Sequence, residues 1–383
     1  MLSLHKTILP LLTVGVLAFS CKKDEARPAL QIPTAYDGSG FATNATTQIA
    51  VVTQLTNITN EAKKGRTLST TVSKSALDNL FTTGNPSLAN IITTYYKSKL
   101  EGTNGWFDEL AKASGGTYTP SNTPTGQGGV FGTGSSAYLF DENGLEMEQL
   151  IEKGQFGAVL YKHATDLIDG TAITTATTDQ LLAIFGATPA FANSGSNNVA
   201  VENRDKAMAN YASRRSDIND ANSLYIQIQK QFLKLQAALK AGKDYNKERD
   251  EAIAEIKLIW EKINAATVIN YCHSVISTMS QTTTTDNQKA SALHAYGECV
   301  GFIHGWRTIS QNHKKITDTQ IEEVLVLLNA PYNATPTSYK FITDPANELP
   351  KLQQIISKLK TIYGFTDQEI ESFKKNWVAE QNR

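Results

Sequence analysis

Apolar residues recur along most of the chain at the three- and four-residue spacing of an amphipathic helix. The clearest run, which ends at Gly242, comprises Leu224, Ile228, Phe232, Leu235 and Leu239. A longer run from about residue 247 to residue 279 repeats the pattern. No stretch alternates apolar and polar residues as a half-buried β-strand does. The pattern therefore predicts an all-α fold of about ten helices with bundle-like packing.

Polar residues mark several of the expected helix starts. Ser73 and Asp286 can each cap a helix, because a side-chain oxygen can accept a hydrogen bond from the free N–H groups of the first turn. Two capping boxes, Thr317–Gln320 and Thr366–Glu369, place a glutamine or glutamate three residues after a threonine. We therefore expect helices to begin at these residues.

Residues 114–136 are dominated by Gly, Ser, Thr and Pro, which cannot build a hydrophobic core of their own. We expect a long loop here, and a long loop inside a compact domain is usually functional or disordered. The segment Gly126-Gln127-Gly128-Gly129 is similar to a phosphate-binding loop, but it lacks the lysine and the preceding strand of that motif. A phosphate site is therefore not expected in this loop.

The N-terminus has the parts of a lipoprotein signal peptide in residues 1–20. Its apolar run, Ile8–Phe19, is shorter than the roughly 20 residues that a membrane-spanning helix needs. A small residue precedes Cys21, whose thiol would accept the lipid. The alternative is an ordinary secreted protein that carries a cysteine at this place. We expect residues 21–44 to form a lipidated flexible tether and residues 45–383 to form the helical domain.

The charges of the chain constrain where it is attached and what it binds. Lys23-Asp24-Glu25 is similar to the surface-export signal of Bacteroidota lipoproteins, although an ordinary charged linker would have the same residues. The protein is therefore expected in the outer membrane, facing either the cell surface or the periplasm. The whole chain has 36 basic and 37 acidic residues, which argues against a nucleic acid partner. Membrane attachment is expected to come from the lipid on Cys21.

Cysteine is scarce, with three residues in the chain. Once Cys21 carries a lipid, only Cys272 and Cys299 remain, and a domain of this length does not need a disulfide framework. The two could pair in an oxidising compartment if their helices adjoin. They could equally pack as two small apolar side chains.

His294 and Glu298 are candidate metal ligands. They are four residues apart on an expected helix, so their side chains lie on one face, one turn apart. His304 lies ten residues after His294, which is close to three turns, and is therefore on roughly the same side. Catalytic zinc needs three protein ligands and an open position, and the HExxH motif is absent. The alternative is that His294 and Glu298 form a hydrogen-bonded or ionic pair inside the bundle.

Glu146 and His163, on the helix after the long loop, could complete a site from across the bundle or could lie on a solvated face. No catalytic residue is predicted. The chain lacks a Gly-x-Ser-x-Gly elbow, and no serine or cysteine has an evident base. Binding is therefore better supported than covalent catalysis.

Three segments together resemble a known family: Gly144-Leu145-Glu146-Met147-Glu148-Gln149-Leu150-Ile151-Glu152-Lys153-Gly154, Phe185-Gly186-Ala187-Thr188-Pro189 and Ala292-Leu293-His294-Ala295-Tyr296-Gly297-Glu298-Cys299-Val300-Gly301-Phe302-Ile303. With the lipoprotein start, they resemble the imelysin-like lipoproteins of Bacteroidota classed as domain of unknown function 4856. The resemblance runs from about Tyr36 to the C-terminus. It implies two packed helical bundles, anchoring in the outer membrane and a link to iron or haem uptake beside a transporter.

The chain departs from this family just before the Phe-Gly corner. Relatives tend to carry Trp-Asp-Glu-Ala, whereas the residues here are Thr178-Asp179-Gln180-Leu181. If the acidic pair of the relatives binds a cation, only Asp179 remains to do so. Asp179 is therefore a weaker candidate for a metal ligand.

These observations lead to one preferred function and two alternatives. The preferred one is a binding lipoprotein that helps an outer-membrane transporter to take up iron, haem or another solute. The first alternative is a metallopeptidase-like enzyme that uses His294 and Glu298. The second is a non-catalytic adaptor, which would present a large exposed apolar patch.

Overall fold

A computed structural model describes residues 27–170 and 172–383. The predicted signal peptide, Cys21 and the first part of the tether lie outside these residues. The all-α class is confirmed, because helices make up most of the described chain and pack on one another around a continuous hydrophobic core. Over the part of the chain that the structure describes, no helix combines the length and the apolar character that crossing a bilayer requires.

The helices follow one another closely, and several consist of a single turn. In chain order they are α1 Phe41–Asn44, α2 Thr46–Lys63, α3 Lys74–Thr82, α4 Leu88–Ile91, α5 Thr94–Glu101, α6 Trp106–Ala113, α7 Met147–Gln155, α8 Lys162–Ile168, α9 Thr175–Phe185, α10 Ala207–Arg214, α11 Leu224–Ala241, α12 Asn246–Met279, α13 Asp286–His304, α14 Asp318–Leu327, α15 Lys340–Thr343, α16 Pro345–Tyr363, α17 Asp367–Ser372 and α18 Trp377–Glu380. A π-helical segment, Phe156–Tyr161, joins α7 to α8.

The longest helix, α12, lies at the centre of the molecule. It packs against α10, α11, α13 and α16, and α13 packs in turn against α7. Trp260 of α12 is fully enclosed, with its ring centroid 4.9 Å from that of Phe185 and 5.4 Å from that of Tyr161. Such close aromatic contacts give the core interlocking packing as well as buried apolar area.

The expectation of no strands is wrong for a short hairpin. Strands β1, Gly129–Phe131, and β2, Tyr138–Phe140, pair antiparallel, with Val130 opposite Leu139. β1 lies inside the segment predicted to be a loop. Three residues are too few to show an alternating pattern, and all three residues of β1 are buried. The sequence therefore carries no periodic signal for this pair.

Three of the four predicted helix starts are confirmed. The side chains of Ser73, Thr317 and Thr366 each accept a hydrogen bond from a backbone N–H of the first turn. The start at Asp286 is off by one residue. Thr285 is the N-cap, and it forms a capping box with Gln288, so Asp286 becomes the first helical residue.

The chain that follows Arg27 is extended but lies against the helices, which differs from the flexible tether expected for this region. The Tyr36 ring is buried, and its hydroxyl donates to Asp179 Oδ1 at 2.6 Å. Gln236 of α11 exchanges two hydrogen bonds with the backbone of Asp37, at 2.9 Å each. Residues 41–44 then form α1. The buried tyrosine and these backbone contacts hold the segment in place.

Candidate functional site

Helices α7 and α13 bring His294 into contact with a buried carboxylate. Glu146, just before α7, is fully buried, and His294 Nδ1 donates to its Oε2 at 2.7 Å. Burial disfavours a charge on Glu146, but the positive charges of His294 and Arg66 outweigh it and lower the pKa of Glu146. The same contact outweighs burial at the imidazole and raises the pKa of His294. Glu146 therefore joins His294 from across the interface and does not lie on a solvated face.

Arg66 ties this pair to a second buried carboxylate. It donates to Glu146 Oε1 at 2.9 Å, and to the two oxygens of Glu148 at 2.6 and 2.8 Å. Burial and the charge of Glu146 raise the pKa of Glu148 to about 7. The Tyr138 ring covers this group. It stacks on the His294 imidazole with ring centroids 4.1 Å apart, and the Arg66 guanidinium carbon lies 4.8 Å from the Tyr138 ring centroid.

Glu298 lies one turn after His294 and faces a buried lysine. Its Oε1 is 3.5 Å from Lys153 Nζ and 3.9 Å from His294 Nε2. Lys153 Nζ also lies 2.7 Å from Glu152 Oε2. Burial opposes the charge of Lys153, but Glu152 and Glu298 outweigh it and raise the pKa of Lys153. His294 and Glu298 thus belong to a network of paired charges, which agrees with the ionic-pair alternative.

Glycines allow the close approach that assembles this network. A Cβ added to Gly301 of α13 would lie 2.4 Å from the carbonyl oxygen of Gln149, and one added to Gly305 would lie 2.1 Å from the carbonyl oxygen of Gly154. Real Cβ atoms do not come so near to a backbone oxygen. The helix pair can therefore lie backbone to backbone only because these positions lack a side chain.

His304 does not join His294. Ten residues along a helix correspond to about 15 Å. Its imidazole is enclosed by rings, stacked on Tyr95 with centroids 5.6 Å apart and edge-on to Trp106 at 5.1 Å. Burial and the nearby charges of Lys99 and Arg307 lower the pKa of His304 to about 3. A neutral imidazole among aromatic side chains is typical of core packing.

Asp179 fastens the N-terminal segment to α9. Its carboxylate accepts hydrogen bonds from the Tyr36 hydroxyl at 2.6 Å and from Asn44 Nδ2 at 2.8 Å. His163 is half-buried, and the nearest charges that affect it are Asp166 and Lys162 of its own helix. Within residues 27–170 and 172–383, no group of three or more His, Cys, Asp or Glu side chains is arranged to hold a metal ion.

Cys272 and Cys299 face each other between α12 and α13. Both are buried thiols, with their Sγ atoms 3.9 Å apart. Burial and the neighbouring Cys272 thiol raise the pKa of Cys299 well above its usual value. The helices therefore adjoin as pairing requires, while the thiols pack as small core side chains.

A cleft that the sequence did not indicate lies where the α10–α11 connection meets α17 and α18. Its volume is about 770 Å³, within the roughly 300–1,000 Å³ of ligand pockets. Its lining includes Arg215, Asp217, Asp220, Ser223, Glu369 and Trp377. We call it the Arg215 cleft.

Arg215 carries a buried charge with little compensation. The residue is 5% exposed, and its one hydrogen bond within the described residues runs from Nη1 to the carbonyl oxygen of Phe373 at 3.4 Å. Its Nε is buried with no partner there. Burial lowers the pKa of Arg215 to about 10; the charge of Arg214 lowers it further, and the charge of Glu298 opposes this only in part. A guanidinium offers five N–H donors, so most of its bonding capacity is unused.

The start of helix α11 adds a second polar group to the cleft. Its N-cap, Ser223, makes no side-chain capping bond, and the buried Ser223 Oγ has no partner among the described residues. A long helix carries partial positive charge at its N-terminus. Arg215 and this helix start therefore both favour an anion on this side of the cleft.

One sequence signal could have indicated Arg215. The buried face of α10 includes Met208 and Ala212, and Arg215 follows at the same spacing. An arginine stands where the helical pattern requires an apolar side chain.

The chain matches no protein-family model, no curated protein and no solved structure, so these comparisons assign it to no family.

Proposed function

We propose that the protein is a binding lipoprotein, anchored to the outer membrane through Cys21, and that the Arg215 cleft holds its solute. The bound solute would pass to an outer-membrane transporter. The observation that carries the proposal is the buried Arg215 guanidinium, which lines a ligand-sized cleft without a carboxylate partner among the described residues. A buried unpaired charge costs stability, and a strongly perturbed ionisable group in a cleft is a candidate for a functional site.

Binding has more support than catalysis. His294 is fixed by Glu146 and Tyr138, and the described residues contain no three-ligand group for the zinc of a metallopeptidase. The same finding gives iron little support as a directly coordinated solute. Haem or chelated iron remains a candidate, because such ligands carry carboxylates that a guanidinium can bind.

The adaptor alternative has less support than a solute site. Large exposed apolar side chains of the described chain occur singly along the sequence, at Ile32, Ile49, Leu68, Val201, Ile218 and Val326. An adaptor would need a large contiguous apolar patch, whereas the solute site has a defined cleft.

The test is a ligand panel on the chain from residue 22 to residue 383, read by the shift of its thermal unfolding midpoint. The panel contains organic acids, haem and ferric citrate. The variants are Arg215→Met, the neighbouring control Arg214→Met and the double variant His294→Ala/Glu298→Ala. A stabilising ligand whose effect is lost only in Arg215→Met supports the proposal. An effect lost only in the double variant would place the site on α13 and refute the assignment to the cleft.

The anchor is tested separately in cells. Labelled palmitate should be incorporated into the full-length chain and should be absent from Cys21→Ala. Protease added to intact cells then distinguishes a surface location from a periplasmic one, because only surface-exposed protein is cleaved.

A further inference from the structure

We propose that the Arg215 cleft binds a sugar acid, a hexuronate-like unit whose carboxylate pairs with Arg215 and whose hydroxyls meet the acidic rim. This inference rests on the proposed function and names the solute class for the same site. It is drawn from three features of the cleft, namely the buried guanidinium, the carboxylates of the rim and the tryptophan of α18.

The guanidinium selects a carboxylate. Its planar fork matches two carboxylate oxygens, and Arg215 uses only one weak acceptor within the described residues, the carbonyl oxygen of Phe373. The start of α11 favours the same charge: Ser216 Oγ accepts from the backbone N–H of Tyr225 at 2.9 Å, but the N-cap Ser223 makes no side-chain capping bond. The rim carries Asp217, Asp220, Glu369 and Glu371. These acids would repel a doubly charged phosphate about twice as strongly as a singly charged carboxylate.

The acidic rim selects hydroxyl groups on the rest of the ligand. Asp217 Oδ1 accepts from the backbone N–H of Asn219 at 2.9 Å and from Gln381 Nε2 at 2.6 Å. Asp220 Oδ1 accepts from the backbone N–H of Asn222 at 2.8 Å. These bonds hold both carboxylates in place and leave the second oxygen of each to accept from a ligand. A carboxylic acid without hydroxyl groups could not donate hydrogen bonds to these carboxylates, which would weaken its binding. A polyhydroxylated acid could donate to them.

Trp377 supplies an apolar surface beside these polar groups. Its Nε1 donates to Ser372 Oγ at 3.0 Å, which fixes the indole, and the side chain is partly exposed at the cleft. Lys375 Nζ lies 4.8 Å from the ring centroid. A fixed aromatic ring can pack against the C–H face of a pyranose while the hydroxyls at its edge reach polar side chains. The three features together match an acid, a ring face and a set of hydroxyls.

An amino acid is the main competitor. Its carboxylate could also pair with Arg215, while its ammonium group would pair with Asp217 or Asp220. It would leave the tryptophan and the wide part of the cleft unused. This competitor is therefore included in the experiment as a probe.

The experiment is isothermal titration calorimetry of residues 22–383 with D-glucuronate and matched probes. Glucuronamide keeps the hydroxyls and lacks the charge, hexanoate keeps the carboxylate and lacks the hydroxyls, and L-alanine is the zwitterion. We expect saturable binding of glucuronate, with each probe at least about tenfold weaker, a difference of about 1.4 kcal/mol. Arg215→Met should lose at least about tenfold in glucuronate affinity, and Arg214→Met should retain it within about twofold.

The rim and the tryptophan have their own variants. Asp217→Asn/Asp220→Asn should weaken glucuronate more than hexanoate, since only the sugar donates to the rim. Glucuronate should change the tryptophan fluorescence of the parent chain, and Trp377→Phe should remove that change while Trp106→Phe leaves it. Thermal unfolding of every variant checks that it is folded.

The outcomes separate this inference from the function on which it rests. Binding of alanine or hexanoate that matches or exceeds glucuronate, and that Arg215→Met abolishes, would overturn the sugar-acid assignment and leave the binding site standing. Glucuronate affinity unchanged by Arg215→Met would overturn the placement of the carboxylate. If no probe binds the folded protein and the wider ligand panel also fails, both the inference and the proposed function are overturned.

Discussion

Replacing Arg215 by methionine should make the protein more stable. Burial moves the pKa of Arg215 from 12.5 to about 10, so keeping this charge in the folded state costs about 3 kcal/mol at about 1.4 kcal/mol per pKa unit. The cost is present at every pH below about 10, where the guanidinium is charged. Methionine has a similar length and is apolar, so it removes the charge while it keeps most of the packing.

The substitution leaves no buried acceptor unpaired. The carbonyl oxygen of Phe373 retains a hydrogen bond from Asn270 Nδ2 at 2.7 Å. After a deduction for imperfect packing, which typically costs up to about 1.5 kcal/mol, we expect a net gain of about 1–3 kcal/mol in the free energy of unfolding. In a chain of this length that gain corresponds to only about 1–4 °C in the unfolding midpoint.

Urea unfolding at pH 7, followed by circular dichroism, measures this difference better than a melting curve does. Arg214→Met is the control. Arg214 is partly exposed and only adds to the cost of the Arg215 charge, so its replacement should raise the free energy of unfolding by less than Arg215→Met does. If Arg215→Met loses 1 kcal/mol or more, its charge is well paired in the folded state. The guanidinium would then need no ligand to pair its charge.

Three further predictions concern the buried charges, the helix contact and the thiols. Burial raises the pKa of Glu148 from 4.5 to about 7, so the folded state holds this proton more tightly than the unfolded state does. The free energy of unfolding should therefore fall as the pH rises from about 4.5 to about 7. Glu148→Gln should make this slope smaller in urea titrations at successive pH values. A slope that Glu148→Gln leaves unchanged would assign the pH dependence to other groups. Gly301→Ala places a Cβ 2.4 Å from the carbonyl oxygen of Gln149 and should cost about 2–3 kcal/mol or more in urea unfolding. Gly364→Ala is the control, because its Cβ meets no atom within 4 Å and it should cost only the roughly 1–2 kcal/mol of its left-handed backbone. Equal losses would show that the close approach of α7 and α13 does not limit stability. Cys272 and Cys299 are fully buried, so neither should react with a thiol reagent in the native protein, and both should react in urea; rapid labelling of the native protein would contradict the burial.

The long-period features of the fold could be predicted, because they repeat along the chain. Helix α11 was expected from its apolar stripe, and the stripe residue Ile228 is fully buried. The caps at Thr317 and Thr366 depend on residues three positions apart, and they were predicted correctly. The β1–β2 hairpin could not be predicted, because its pairing depends on residues seven to eleven positions apart and each strand has three residues.

The candidate site was predictable only in part. The i, i+4 spacing of His294 and Glu298 gave their shared face, but the partners Arg66 and Lys153 come from other segments that only the tertiary fold brings near. The Arg215 cleft was missed for a related reason. Its walls come from two regions about 150 residues apart, and an unpaired charge is defined by the absence of neighbours, which a linear pattern does not record.

The N-terminal segment limits how far the folded body could lie from a membrane if Cys21 carries a lipid. Arg27 pairs with Glu248 and its guanidinium lies 4.2 Å from the ring centroid of Tyr245, so the chain is already docked at the start of α12. Arg27 is only six positions after Cys21 in the sequence. A fully extended chain covers about 3.6 Å per residue, or roughly 20 Å over these six positions. A lipid on Cys21 would therefore keep the folded body close to the bilayer, with the Tyr245 end nearest the headgroups. The folded body could then not move far from the membrane surface. A bound solute would have to pass to a partner that lies close to it in the same leaflet.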